Sequence, residues 1–134
     1  MLKNQRGGAA VEFAIVLPLL ALILFGTIDF ALLFYDKQIL TNASREVARS
    51  RIVKIDPDNL IDYEKIAVEY CKNLINLGNT AKNALDPSKI EIDDSVADYI
   101  SVSISYDYEH FFTSFLGIES TTITGKTIMR QETF

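Results

Sequence analysis

The sequence predicts an α+β chain: a long N-terminal helix, its inner half transmembrane and its outer half amphipathic, packed on a short helix and a small antiparallel β-sheet. Three observations carry that reading. Residues 13–35 hold one charged side chain, Asp29, and the first 16 of these 23 residues hold none. Helical spacing of apolar residues then continues through Phe30, Leu33, Phe34, Ile39, Leu40, Ala43, Val47 and Ala48. Far downstream, Ile100, Val102, Ile104, Tyr106 and Tyr108 alternate with Ser101, Ser103, Ser105, Asp107 and Glu109. Such alternation belongs to a strand with one buried and one wet face.

The first element is a single helix from about residue 8 to about residue 53. A bilayer's hydrocarbon layer takes about 20 apolar residues as a helix, at roughly 1.5 Å per residue. A secretory signal would have a shorter apolar stretch, about 7–15 residues, and a small-x-small cleavage site. The division expected along the chain is a leader at 1–7, a transmembrane helix at 8–35, its amphipathic continuation at 36–54 and an α+β domain at 55–134. Pro18 lacks an N–H and clashes with the carbonyl four residues before it, so a kink or local opening is expected there. Glu12 and Asp29 would lie near opposite faces of the hydrocarbon layer, about 25 Å apart, where a carboxylate costs less than at the centre.

After the long helix, turn signals at Asp56, Pro57, Asp58 and Asn59 precede Ile66, Tyr70, Leu74 and Leu77, which are spaced for a helix of about four turns stopped by Gly78 and Asn79. A short strand is expected at 90–92, the alternating strand at about 99–109, and a last strand in the Thr- and Ile-rich "ESTTITGKTIMRQ", with Gly125 marking a bulge or a close approach. The apolar corner "FFTSFLGI" between the two long strands is expected to cap the core. Two strands with one apolar face are not stable alone in water, so the amphipathic part of the helix is their expected cover.

Charge is divided along the chain. Residues 1–54 carry seven Lys and Arg against four Asp and Glu, and residues 55–134 carry six against fourteen. The acidic half argues against a nucleic-acid partner, because phosphate binding needs clustered Lys and Arg. The basic side of the outer helix complements either the acidic domain or an anionic lipid surface. Lys3, Arg6 and the amino terminus favour an N-in orientation, whereas Lys37, Arg45, Arg49, Arg51 and Lys54 on the other side oppose it, so charge counting alone does not decide. The single cysteine, Cys71, allows no internal disulfide and reads as a small buried apolar residue. His110 stands without a second His, and the acidic group Asp93, Asp94, Asp98, Asp107 and Glu109 lacks the ligand spacing of a calcium loop. No nucleophile–base set, phosphate loop or cofactor motif is present, so the expectation is a non-enzyme with no metal and no cofactor.

The start of the chain resembles a TadE-like pseudopilin of the Tad/Flp type IVb pilus family. "MLKNQRG" is similar to a short basic prepilin leader, with the cut between Gly7 and Gly8. Counting from Gly8 then puts Glu12 at the fifth mature position, before the apolar run. The similarity continues through the Leu17-Pro18, Phe25-Gly26 and Asp29-Phe30 pairs and the run "TNASREVARSRIV". It returns more moderately in the two late strands and "MRQE". The resemblance implies a pilin-like fold and a minor pilin or pseudopilin of a pilus-assembly or secretion apparatus, acting in priming, assembly or tip adhesion. It also implies a prepilin peptidase, other pilins and an inner-membrane assembly platform as partners, besides membrane lipid. Gly7 and Gly8 would be the processing site, Glu12 the partner of the new amine, and Pro18, Gly26 and Asp29 interface positions within the span. The location implied is single-pass in the cytoplasmic (inner) membrane, N-in, with the C-terminal domain periplasmic or extracellular. The alternative is an unprocessed single-span protein whose outer domain binds a partner or ligand.

Overall fold

A computed structural model describes residues 5–53, 62–75, 85–95 and 98–130. Its elements are α1 (Gln5–Val53), α2 (Tyr63–Tyr70), β1 (Ile90–Asp93), β2 (Tyr99–Glu109) and β3 (Ser120–Arg130), with 3₁₀ turns at Cys71–Asn73, Pro87–Lys89 and Thr113–Leu116. The three strands form one antiparallel sheet in the order β1-β2-β3. The α+β class and the long helix, short helix and small sheet read from the sequence are all present.

One helix carries two environments. Residues 7–20 of α1 are exposed throughout, although almost all are apolar. From Asp29 onward the helix buries a single stripe: Asp29, Leu33, Asp36, Leu40, Ala43, Ser44, Val47 and Ala48. Steps of three and four residues keep these positions on one side of a helix that turns every 3.6 residues. Two carboxylates lie on that stripe, whereas Phe30 and Phe34, inside the stretch expected to be transmembrane, are exposed.

The sheet covers the stripe. Ile100, Val102, Ile104, Tyr106 and Tyr108 of β2 are all buried, and Ile123 of β3 joins them. β2 and β3 pair continuously from Tyr99↔Arg130 to Glu109↔Ser120, so Gly125, opposite Ile104, is not a bulge. It is a point of close approach. A Cβ on Gly125 would lie 2.4 Å from the carbonyl carbon and 2.6 Å from the carbonyl oxygen of Leu40, both backbone atoms. Nearby, the Ser44 and Thr127 hydroxyls meet at 2.6 Å.

α2 adds Ala67, and the turn after it adds Cys71 and Leu74. The helix is capped by Asp62, whose side chain accepts from the Lys65 N–H at 3.0 Å. It is shorter than the four turns its apolar spacing implies. Leu74 is already extended, with φ −60° and ψ 136°. The next N–H, that of Ile75, donates to the Asp36 carboxylate of α1 at 2.9 Å instead of continuing a helix. The stop expected at Gly78 and Asn79 lies outside the described residues. β1 matches the short strand expected, pairing Ile90↔Ile104 through Asp93↔Ser101.

The apolar corner does not cap the core. Thr113 is buried there, but Phe111, Phe115, Leu116 and Ile118 are exposed. The core is closed instead by Tyr108, His110 and Thr113 around Asp29. Replacing Gly125 with Ala places a Cβ against backbone that cannot rotate away. Thermal melts followed by circular dichroism in detergent should show a lower midpoint, equivalent to about 3 kcal/mol of lost stability. An unchanged midpoint would contradict the close approach.

Candidate functional site

The residues singled out by the sequence fall into two places on α1. Gly7, Gly8 and Glu12 lie in its first turns, and all three are exposed. A Cβ on Gly7 or Gly8 would meet nothing within 4 Å, so crowding inside this chain does not require either glycine. Their effect is on helix strength. Each glycine weakens a helix by about 1 kcal/mol relative to Ala, and the first four N–H groups have no intrahelical partner in any case. The Gly7–Gly8 bond therefore sits in the most easily unwound part of α1. Among the side chains that the structure describes, no cation forms an ion pair with Glu12. Lys3 and the side chain of Arg6 lie outside that set.

α1 runs unbroken through Pro18. Having no N–H, Pro18 leaves the Ala14 carbonyl without its usual donor. Gly26 is half-buried, and a Cβ there would also meet nothing within 4 Å. Neither residue touches the outer domain closely enough to explain its presence.

Asp29 belongs to the second place. It is completely buried, and both of its carboxylate oxygens are engaged by residues far away in sequence. Oδ1 accepts from the Tyr108 hydroxyl at 3.0 Å. Oδ2 accepts from the Thr113 N–H at 3.1 Å and the Thr113 hydroxyl at 2.8 Å. His110 Nδ1 stands 3.3 Å from Oδ2, and its Nε2 is 2.9 Å from the Thr121 hydroxyl. Hydrogen bonds to a carboxylate are among the stronger ones in proteins. A carboxylate expected to mark the edge of a lipid layer is thus also the anchor point of β2 and the corner after it. His110, read from sequence as structural, is part of this cluster.

Asp36 lies two turns further along the same stripe and was not singled out by sequence. The signal was its seven-residue spacing from Asp29, in step with Leu33 and Leu40. Oδ1 accepts the Ile75 N–H, while buried Oδ2 has no hydrogen-bond partner among the described residues. Burial pushes its carboxyl up to about 6, and the Ile75 N–H pulls the other way. Burial, aided by the nearby Asp36 charge, also pushes the Cys71 thiol up to about 11, so Cys71 is an inert core residue at neutral pH. Burial likewise raises the Tyr108 phenol, as does its bond to Asp29.

Among the described residues no group of His, Cys, Asp and Glu is arranged to hold a metal ion. The acidic side chains once weighed as a calcium loop have other partners. Asp93 caps Ser95, Asp94 pairs with Arg51 at 3.1 Å, and Asp107 meets Lys89 at 3.3 Å and the Thr122 hydroxyl at 2.7 Å. The Arg51–Asp94 pair shows basic outer helix meeting acidic domain, one of the two complements the charge pattern allowed.

Asp36 makes stability depend on pH with a definite sign. Its folded pKa, about 6, lies above the ordinary carboxylate value near 3.9. Stability from this group is fully present below about pH 4 and is lost as pH rises through about 6. Replacing Asp36 with Asn keeps an acceptor for Ile75 and removes the titration. The variant should gain about 2 kcal/mol on the parent between pH 4 and pH 7, read from paired denaturation curves. A constant difference across that range would contradict the assignment.

Comparison with known proteins bears on the helix. A family described as TadE-like protein matches residues 7–49, nearly all of α1 up to its last turn. No curated protein and no solved structure matches the chain. α1 is long and apolar enough to cross a membrane, and its most apolar stretch is wholly uncovered by the rest of the chain. Over residues 7–49 of its long N-terminal helix, this chain is similar to the family described as TadE-like protein.

Proposed function

We propose that the chain is a minor pilin or pseudopilin of a Tad-type apparatus, inserted N-in, cut between Gly7 and Gly8, and passed from the membrane into or beside a pilus. The observation that carries the reading is Glu12. It is an exposed carboxylate on an otherwise apolar, uncovered stretch of helix, and none of the described side chains pairs with it. In hydrocarbon a lone carboxylate is costly, so it calls for a cation from outside the described fold.

A cut at Gly7–Gly8 supplies one. The new amine of Gly8 lies four residues before Glu12, one turn away on the same side of the helix and about 6 Å along its axis. That amine can reach its own Glu12 or that of a neighbouring helix. In low dielectric such a pair holds its register strongly, because breaking it leaves an unpaired charge. The two glycines make the first turn easy to unwind into a peptidase. The acidic outer domain, folded on the second half of the same helix, would remain on the far side of the membrane as the surface offered to other pilus components.

Two measurements test this. Mass spectrometry of protein extracted from membranes should find a chain beginning at Gly8, and an intact Met1 or Leu2 start would leave an unprocessed, permanently anchored protein instead. Glu12→Gln should insert into membranes as the parent does but enter pili at least about tenfold less, the equivalent of about 1.4 kcal/mol. Equal incorporation would rule out the pairing role.

A further inference from the structure

The corner between β2 and β3 holds the most exposed large apolar residue among the described residues, Phe115, and three more beside it in sequence. Phe115 is 98% exposed, Leu116 56%, Phe111 54% and Ile118 43%. They are presented by a built turn. The Gly117 N–H donates to the Ser114 carbonyl at 3.0 Å and the Ile118 N–H to the Thr113 carbonyl at 3.3 Å. The Ser114 hydroxyl donates to the Phe111 carbonyl at 2.8 Å, and Gly117 takes the left-handed conformation at φ 85°. Asp29 ties Thr113 to α1, and the Phe112 ring stacks on Phe25 with centroids 4.6 Å apart and planes 8° from parallel.

The position of this corner along α1 gives it meaning. Asp29 meets Tyr108 and Thr113, Leu40 meets Gly125, and Ser44 meets Thr127, so β2 runs against the direction of α1. The corner is therefore the membrane end of the domain. From Gly8 to Phe25 the helix rises about 26 Å, less than the roughly 30 Å hydrocarbon layer it would cross. A ring stacked on Phe25 lies at or below the outer edge of that layer. Phe25, Ile28 and Phe30 of the helix are exposed as well, and the Phe25–Phe112 stack joins the corner to that apolar stretch.

We infer that the Phe111–Ile118 corner inserts into the lipid interface, so that the outer domain rests on the bilayer at a second point beside the helix. The occupant is lipid rather than protein because the patch is continuous with the span and ends at the level where lipid ends. Amphipathic surfaces of this kind settle about 5–10 Å into the headgroup and acyl boundary. Residues 111–118 carry no charge, and Glu109 and Glu119 flank them, so binding comes from apolar area and needs no anionic lipid.

The inference rests on α1 being a membrane anchor. It is tested with the full chain in phosphatidylcholine vesicles. The sequence has no tryptophan, so Phe115→Trp provides a single probe, and Ile128→Trp, at an exposed site near the opposite end of β3, provides a reference. The Phe115→Trp probe should emit at shorter wavelength than the reference. It should be quenched several-fold more strongly by lipid brominated near the headgroup than by iodide present on both sides, at every protein-to-lipid ratio. Water-like emission with free iodide quenching would overturn the insertion while leaving the anchor intact. Shielding from iodide without bromolipid quenching would also overturn it, and dependence on protein density would identify a second copy as the cover. Release of the chain by alkaline carbonate would overturn the anchor and the insertion together.

Discussion

The carboxylate of Asp29 sits where α1 passes from an uncovered apolar stretch to the part that carries the sheet. Below it, residues 7–20 are exposed throughout and, apart from Glu12, uncharged. Above it, the same helix has a single buried stripe and a sheet seated on it. Three hydrogen bonds, from the Tyr108 hydroxyl and from the backbone and hydroxyl of Thr113, converge on this one side chain. They fix the end of β2 and the start of the corner to a definite turn of the helix. A buried carboxylate stripped of such donors would be strongly destabilising, so the sheet cannot slide along the helix without exposing the charge to an unfavourable environment.

Further up the stripe the packing becomes a matter of backbone. Gly125 brings β3 against Leu40 at a distance no side chain would permit, and the small Ala43 and Ser44 continue the close seam. Asp36 does something different. It spends one oxygen on the Ile75 N–H and thereby ends the α2 region early, swinging Leu74 into the core. The two acids of the stripe thus organise opposite flanks of the sheet, one the corner and the other the short helix.

Much of this was legible in the residues. The alternation of β2 forecast its buried face residue by residue, the uncharged run forecast a helix long and apolar enough to cross a membrane, and Gly125 signalled a close approach. The roles of Asp29 and Asp36 were hidden because their partners lie far away in sequence, and a carboxylate is ordinarily assigned to solvent. The corner was misplaced for the converse reason: its aromatic content says that the segment avoids water but not what covers it. For the first turns of α1 the fold adds little to the sequence pattern, because Gly7 and Gly8 stand in open space and none of the described side chains pairs with Glu12.

The continuity of α1 has a mechanical consequence. Its 49 residues make a rod of about 74 Å with no loop between the lipid-facing part and the domain-bearing part. The domain's heading around the membrane normal is therefore geared to the rotation of the span. Seventeen residues separate Glu12 from Asp29, which at 3.6 residues per turn sets their side chains about 100° apart around the axis. On the proposed role of Glu12, a neighbour docking on that side would choose the compass bearing at which the outer sheet faces. Identical contacts repeated in the membrane would array the outer domains in a fixed rotation, with the orientation set at the far end of the lever.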